Sequence, residues 1–415
     1  MRKIIVCDDH KLAPFNEAAR ELRVLNKPLW LHQRDVLAQY CIQEREVDSL
    51  EEIPAEQVET IVYRDNLFFD QEFMDTFIAE ARRSGQACRV AFNLDDKAIT
   101  SHALQLQRGI RREGSSFVAD LWYFPNGVEE NALPLLMDTG AREHGYYRVP
   151  SYMTNEKGDL TYWVPYRAFL SVEHWVHLYI ANCVFGLFAR GARFEARMQK
   201  LVSKLRILAQ GMWERRQVLR SSVAVHVGKN TFIDPSAKIL GPTTIGDNCT
   251  IGAGAVIDNC IIGNSVNVGC GCQLMLSVVC DRSFLPFNVA MFMTTLMENS
   301  IVAQNTCLQM CVIGRDTFIG ANNVFTDYNL LARPARVFQL DQLVETSMPV
   351  LGGCVGHHCR IGSGLVVYPA RMIESDTILF ASQDRRVIDK NVTFEQSDHF
   401  KLKGNHKVHS RDYPR

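Results

Sequence analysis

A branched aliphatic residue recurs at every sixth position from Val227: Val227, Ile233, Ile239, Ile245, Ile251 and Ile257. An α-helix needs a period near 3.6 and a half-buried strand a period of two, so a period of six fits neither. Glycine often follows the aliphatic residue, as at Gly228, Gly246 and Gly252, and a small or thin residue often sits four places after it, as at Thr231, Ala237, Thr243, Cys249 and Ala255. A triangular solenoid accounts for both observations. Each hexapeptide forms one short side, its aliphatic residue points inward, and Gly, Asn or Asp takes the tight corner. The phase slips by one residue after Ile257 and resumes at Ile262, Val268 and Leu274. It recurs at Ile301, Cys307, Ile313, Ile319 and Phe325, and closes with Val355, Ile361, Val367 and Ile373. The expected fold of this part is a left-handed parallel β-helix.

Two stretches depart from the rule. Phe325 and Val355 lie five sixes apart, so Thr326 to Cys354 is expected to be partly extra coil and partly a projecting loop; it carries Arg333 and Arg336. A projecting loop either supplies binding groups, with these arginines as substrate-binding candidates, or is an ordinary insertion. Arg282 to Glu298, rich in Phe and Met, is expected to pack against a neighbouring surface.

The chain has 415 residues, more than one core usually serves, so a second domain is expected before the solenoid. Lys-Ile-Ile-Val-Cys-Asp at 3–8, Glu59 to Tyr63 and Ala87 to Phe92 read as strands, and Asp70 to Arg83 as an amphipathic helix. That alternation is an α/β pattern. Between the two domains, Met198, Leu201, Leu205, Leu208 and Met212 form one apolar helical face. Its basic residues either face an anionic ligand or belong to a solvated connecting arm. The expected division is an α/β domain at 1–190, a connecting helix at 191–222, the β-helix at 223–383 and a polar tail at 384–415 whose removal leaves the fold intact.

The net charge of −1 attracts neither nucleic acid nor an anionic membrane. The apolar stretch Val172 to Ala189 contains Glu173, His174, His177 and Asn182, which argues against a membrane span. The acidic start argues against an export signal, so a cytoplasmic location is expected. Thirteen cysteines are scattered and read as small core fillers, with Cys307 on the inward column and Cys311 on the small-residue column.

The hexapeptide pattern resembles the hexapeptide-repeat transferases. That resemblance implies a homotrimer, with acyl transfer from acetyl-CoA or another acyl-CoA at clefts between solenoids and a histidine as general base. Within the solenoid only His357 and His358 qualify, at positions three and four of their hexapeptide, where a corner points them outward. The alternative makes them turn residues, equivalent to Asp247-Asn248 or Asn264-Ser265 in other repeats. Two adjacent imidazoles do not supply the three ligands of a zinc carbonic anhydrase.

Asn26-Lys27-Pro28-Leu29 before a helical stretch, and Val62-Tyr63-Arg64-Asp65, resemble the opening of a sugar-phosphate nucleotidyltransferase. The resemblance implies that Lys27 contacts substrate and that Asp65 is the metal-binding aspartate. The family's glycine-rich phosphate loop is replaced by Asp8 to Pro14, which has no glycine, and Ser171-Val172-Glu173 stands where a second aspartate is expected. The domain therefore resembles a degenerate nucleotidyltransferase, with Mg2+ required only if it is active. The order of parts is similar to bifunctional uridylyltransferase/acetyltransferases. Two functions follow: acyl transfer to a sugar phosphate or nucleotide sugar, or a non-catalytic sugar-nucleotide sensor or trimerisation scaffold.

Overall fold

The computed structural model describes residues 1–54, 56–148, 159–199, 223–329, 334–339 and 342–401. These form two compact units: one holds 1–12, 17–148 and 159–181, the other 13–16 and the described residues from 182 onward. Among the described residues no helix is long and apolar enough to cross a membrane.

The first unit is built on a seven-stranded mixed sheet. Its strands are β1 (Arg2–Val6), β2 (Gln43–Val47), β3 (Thr60–Arg64), β4 (Cys88–Asn93), β5 (Ile110–Glu113), β6 (Ser116–Phe124) and β7 (Leu133–Met137), in the order β7-β4-β6-β3-β1-β2 with β5 beside β6. β1 runs parallel to β2 and β3, while β6 runs antiparallel to β3 and β4. β1 is buried along its whole length, and its Ile4, Ile5 and Val6 read as an apolar run. Helix α1 spans Leu29–Leu37 and α2 spans Gln71–Ser84. The Asp70 carboxylate accepts the Phe73 N–H at 2.9 Å to start α2, and Gly85 ends it in the left-handed conformation at φ 64°. Phe73, Met74, Phe77, Ile78 and Ala81 share its buried face, and Phe73 packs on Phe92 of β4.

The second unit is the solenoid, three parallel eight-stranded sheets. Sheet one stacks Ile245, Ile262, Val279, Leu296, Ile313, Val355 and Ile373; sheet two stacks Ile251, Val268, Leu285, Val302, Ile319, Ile361 and Leu379; sheet three stacks Ile257, Leu274, Met291, Leu308, Phe325, Val367 and Ile388. These inward columns form one continuous core. The small-residue column has a second duty: the Thr243, Ser277 and Thr294 hydroxyls accept the N–H of Cys260, Thr294 and Cys311 in the following coils. The helical residues 182–199 lie on the outer face of sheet one, where Arg190 donates to the Thr244 hydroxyl at 2.9 Å and Asn259 to the Leu187 carbonyl at 3.3 Å.

Several expectations change. The phase slips once per coil, not once in all, because the central coils repeat after 17 residues rather than 18, with a five-residue side between sheets three and one. The inward residues are consequently Val302 and Leu308, while Ile301 is exposed and Cys307 half-buried. Arg282 to Glu298 is no departure but a regular coil, with Leu285, Met291 and Leu296 inward. The stretch after Phe325 adds no coil. The strand at Val324–Phe325 pairs directly with Val366–Val367, and the antiparallel hairpin Arg336–Gln339 and Gln342–Glu345 is inserted between Phe325 and Cys354, where the next coil begins.

The tail also differs. Val387–Ile388 is the last strand of sheet three, and the Ser397 hydroxyl and Asp398 carboxylate accept the N–H groups of Ile378 and Phe380 at 2.8 Å. Residues 391–401 thus satisfy donors that the final coil would leave open. Of the connecting helix expected at 191–222, 191–199 is helical, within a helix that starts at Ala189, and the remainder lies outside the described residues.

Candidate functional site

In an open α/β sheet, ligands meet the chain beyond the carboxyl ends of parallel strands. Here those ends present Cys7 and Asp8 after β1, Glu46 on β2 and Asp65 after β3. Asp65 is buried at 1 % exposure. It accepts the Asp8 N–H at 3.1 Å and lies 3.5 Å from the Arg20 guanidinium. Burial pushes its carboxyl up to about 6, the nearby Asp8 charge adds to this, and the Asp8 N–H and Arg20 oppose it. Arg20 also reaches Glu46 at 2.8 Å and the Cys7 sulfur at 3.0 Å. Lys27 takes no part in this group and pairs with Asp35 at 2.5 Å.

The segment expected to carry a phosphate loop forms a small hairpin instead, with Lys11–Leu12 against Glu17–Ala18. Glu173, in place of the second aspartate, has both oxygens engaged: it accepts the N–H groups of Arg108 and Gly109 at 2.8 Å and the Ser171 hydroxyl at 2.7 Å. His177 Nδ1 accepts the Glu173 and His174 N–H groups at 3.0 and 3.1 Å, so its Nε2–H donates to the Gln105 carbonyl at 2.7 Å. Burial drives His177 down to about 4. These histidines cap a helix. A magnesium ion at Asp65 does not fit this donor set, because Arg20 already faces the carboxylate and Glu173 is consumed by a loop. Among the described residues no three His, Cys, Asp or Glu side chains converge on one ion.

The solenoid brings His357 and His358 to the corner between sheets one and two, but they do not share an orientation. His357 is buried at 3 % exposure, contrary to the expectation that both point outward. Its Nδ1 accepts the Arg315 N–H at 3.0 Å, and its own N–H donates to the Ser375 hydroxyl at 2.8 Å. Asp247, Asn264 and Asp281 do the same one coil apart, each accepting the N–H of the corner residue before it at 2.6 to 2.9 Å. His357 is therefore one rung of a corner ladder, and a neutral ring engaged at Nδ1 holds its proton on Nε2. The Phe15 ring lies 4.9 Å from it, and the Pro14 carbonyl accepts the Ser375 hydroxyl at 2.9 Å. Both belong to residues 13–16, grouped with this unit.

His358 takes the next position with φ 56°, as Asn230, Asn248, Ser265, Asn299 and Asp316 do in their coils. It is about one-third exposed, and its Nδ1 lies 3.7 Å from an Asp316 carboxylate oxygen. Arg336 is exposed at the base of the hairpin; Arg333 lies outside the described residues. Arg20, Asp316 and Phe15 went unnoticed in the sequence. Asp316 alone had a signal there, since it occupies the His358 position one coil earlier.

Residues 224–259 match the family model of the bacterial transferase hexapeptide (six repeats). The bifunctional protein GlmU of Geotalea uraniireducens is 26% identical over 176 residues, which cover 38% of each chain. The UTP–glucose-1-phosphate uridylyltransferase of Synechocystis is 40% identical over 58 residues, 14% of this chain and 15% of that one. The mitochondrial gamma carbonic anhydrase 2 of Arabidopsis thaliana is 34% identical over 88 residues, 21% of this chain and 27% of that one. The matches thus span well under half the length of these relatives. A solved structure, a Bacillus cereus protein provisionally assigned as an acetyltransferase, aligns over 43% of this chain and 89% of its own at 16% identity and a TM-score of 0.20. The family model bears out the resemblance to hexapeptide-repeat transferases over residues 224–259.

Proposed function

We propose that this chain is a transferase that moves an acyl group from an acyl-CoA to a sugar phosphate or nucleotide sugar, with His358 as the general base. The observation that carries the proposal is the pairing of His358 with Asp316 at a solvent-reached corner of a hexapeptide-repeat solenoid. The Asp316 carboxylate, 3.7 Å from Nδ1, stabilises the imidazolium formed when Nε2 accepts a proton. His358 takes the proton of the acceptor hydroxyl or amine as the new C–O or C–N bond forms at the thioester carbonyl. The same proton then goes to the departing thiolate. His357 positions this corner through the ladder and does not itself take the proton. Arg333 and Arg336 are proposed to contact the acceptor from the projecting loop.

The corner borders the outer face of sheet two, where Phe284, Ile301 and Phe318 stack in register at 41 %, 37 % and 43 % exposure. A second copy covering this stripe would close a cleft over His358, so we assign the homotrimer contact to it. In the first unit, the hairpin in place of a glycine loop and Arg20 beside Asp65 favour binding of a sugar nucleotide at Lys27 and Asp65 without turnover. The second reading, a sensor or scaffold, rests on those same two features.

Calorimetric titration with acetyl-CoA, and separately with nucleotide sugars plus magnesium, tests the proposal. Saturable acetyl-CoA binding, with acetyl transfer abolished in His358→Asn, supports it. Absence of acetyl-CoA binding sinks the acyltransferase and leaves the sensor or scaffold.

A further inference from the structure

The sheet of the first unit has a second chemical feature, on the face opposite α2. Phe92 of β4 packs under Phe73 of α2. Arg89 has the other parity in the same strand and points away. There Asp120 of β6, only 2 % exposed, receives three arginines from three different strands. Arg64 Nε of β3 donates to its Oδ2 at 2.6 Å; Arg89 Nη2 of β4 and Arg111 Nη2 of β5 donate to its Oδ1 at 2.6 and 3.1 Å.

A buried carboxylate must be paired and hydrogen-bonded; Arg89 serves Oδ1 of Asp120 and Arg64 Nε serves Oδ2. Every part of the Arg89 guanidinium is engaged: Nε donates to the Ala119 carbonyl at 3.0 Å, Nη1 to Glu113 at 3.2 Å, and its face lies 5.1 Å from the Trp122 ring centre. Arg111, a second donor to Oδ1, and the Nη atoms of Arg64 are surplus to this requirement. Arg64 and Arg111 each spend one nitrogen on Asp120, which leaves both Nη atoms of Arg64, and Nε and Nη1 of Arg111, without a protein partner among the described residues. Their side chains are 33 % and 54 % exposed against 3 % for Asp120. With Glu113 counted, three cations face two anions, and like charges held around one carboxylate repel.

We infer that Arg64 and Arg111, anchored through Asp120, form a binding site for a phosphoryl or pyrophosphoryl group. Asp120 fixes the two guanidiniums from below, so their free N–H groups are oriented before an anion arrives. A tetrahedral dianion offers enough acceptor oxygens for both forks, and it offsets the excess charge. The site belongs to the first unit and does not depend on acyl transfer at the solenoid corner.

The test uses the full chain and inorganic pyrophosphate, with phosphate, acetate and chloride at matched ionic strength, followed by calorimetry and thermal shift. Saturable pyrophosphate binding, weakened about tenfold or more in each of Arg64→Gln and Arg111→Gln, is expected. The control Arg83→Gln, at a helical ion pair on α2, should bind as the parent does. If Arg64→Gln fails to fold, the more exposed Arg111→Gln decides alone. Binding no stronger than that of acetate or chloride, or binding unchanged in Arg111→Gln, overturns the assignment and leaves the arginines as ties between strands.

Discussion

Replacing His357 by asparagine should leave the solenoid nearly as stable as the parent, whereas alanine at the same position should not. The ladder supplies the reason. Asn264 already serves as a rung, accepting the Asp247 N–H through its amide oxygen at 2.9 Å, so asparagine at 357 can accept the Arg315 N–H in the same way. It loses the ring contacts with Phe15 and His358, ~0.5–1.5 kcal/mol. Alanine loses those contacts and also leaves the Arg315 N–H without its acceptor, a further ~1–3 kcal/mol. At about 2–4 °C per kcal/mol for a domain of this size, alanine should lower Tm by roughly 3–18 °C and asparagine by no more than about 6 °C. Differential scanning calorimetry of the full chain reads both, taking the transition that moves with solenoid variants. Equal losses for the two substitutions would refute the ladder account of His357. The same pair informs catalysis: His357→Asn should retain acyl transfer that His358→Asn abolishes.

Three further outcomes are expected. Asp65 carries a folded-state pKa of about 6 against its ordinary 3.8, so its ionisation works against folding, and stability from this group falls as pH rises through that window. Asp65→Asn should therefore gain up to about 3 kcal/mol relative to the parent above pH 6 and little below pH 4, as measured by urea unfolding at several pH values; a loss at pH 7 would contradict the assignment. Truncation after Arg386 removes the Val387–Ile388 strand and uncovers the Ile378 and Phe380 donors, and should cost more than about 3 kcal/mol in a thermal or urea melt. An unchanged melt would restore the dispensable tail. Phe284→Asp combined with Phe318→Asp should convert a trimer to monomers in light scattering coupled to size exclusion, and a parent already monomeric removes the assembly from the proposal.

The solenoid was legible because a period of six has few physical explanations, and the columns from Val227 to Ile257 are unbroken. The phase after Leu274 was not legible. Ile301 precedes Val302 and Cys307 precedes Leu308, so hydrophobicity alone cannot choose the inward member of each pair. The five-residue side that decides it is a property of stacked coils. In the first unit, buried runs such as Ile4 to Val6 announced strands, yet the order β7-β4-β6-β3-β1-β2 depends on pairings between distant residues. The roles of Glu173 and Arg20 were hidden for a similar reason. Glu173 reaches Arg108, 65 positions away, and Arg20 reaches Glu46, 26 positions away. For His357, the comparison with Asp247 and Asn264 was visible in the sequence and indicates the structural role.

The central coils share one length and one corner geometry, and this makes the domain a ruler whose divisions are interchangeable. Each coil adds about 4.8 Å of height. A coil excised between equivalent corners, for example 264–280, should rejoin its neighbours with every column intact and shorten the prism by one division. Selection on length in such a chain acts in whole coils, so the distance between the base of the prism and the His358 corner can change by duplication or loss of a module while the corner keeps its shape.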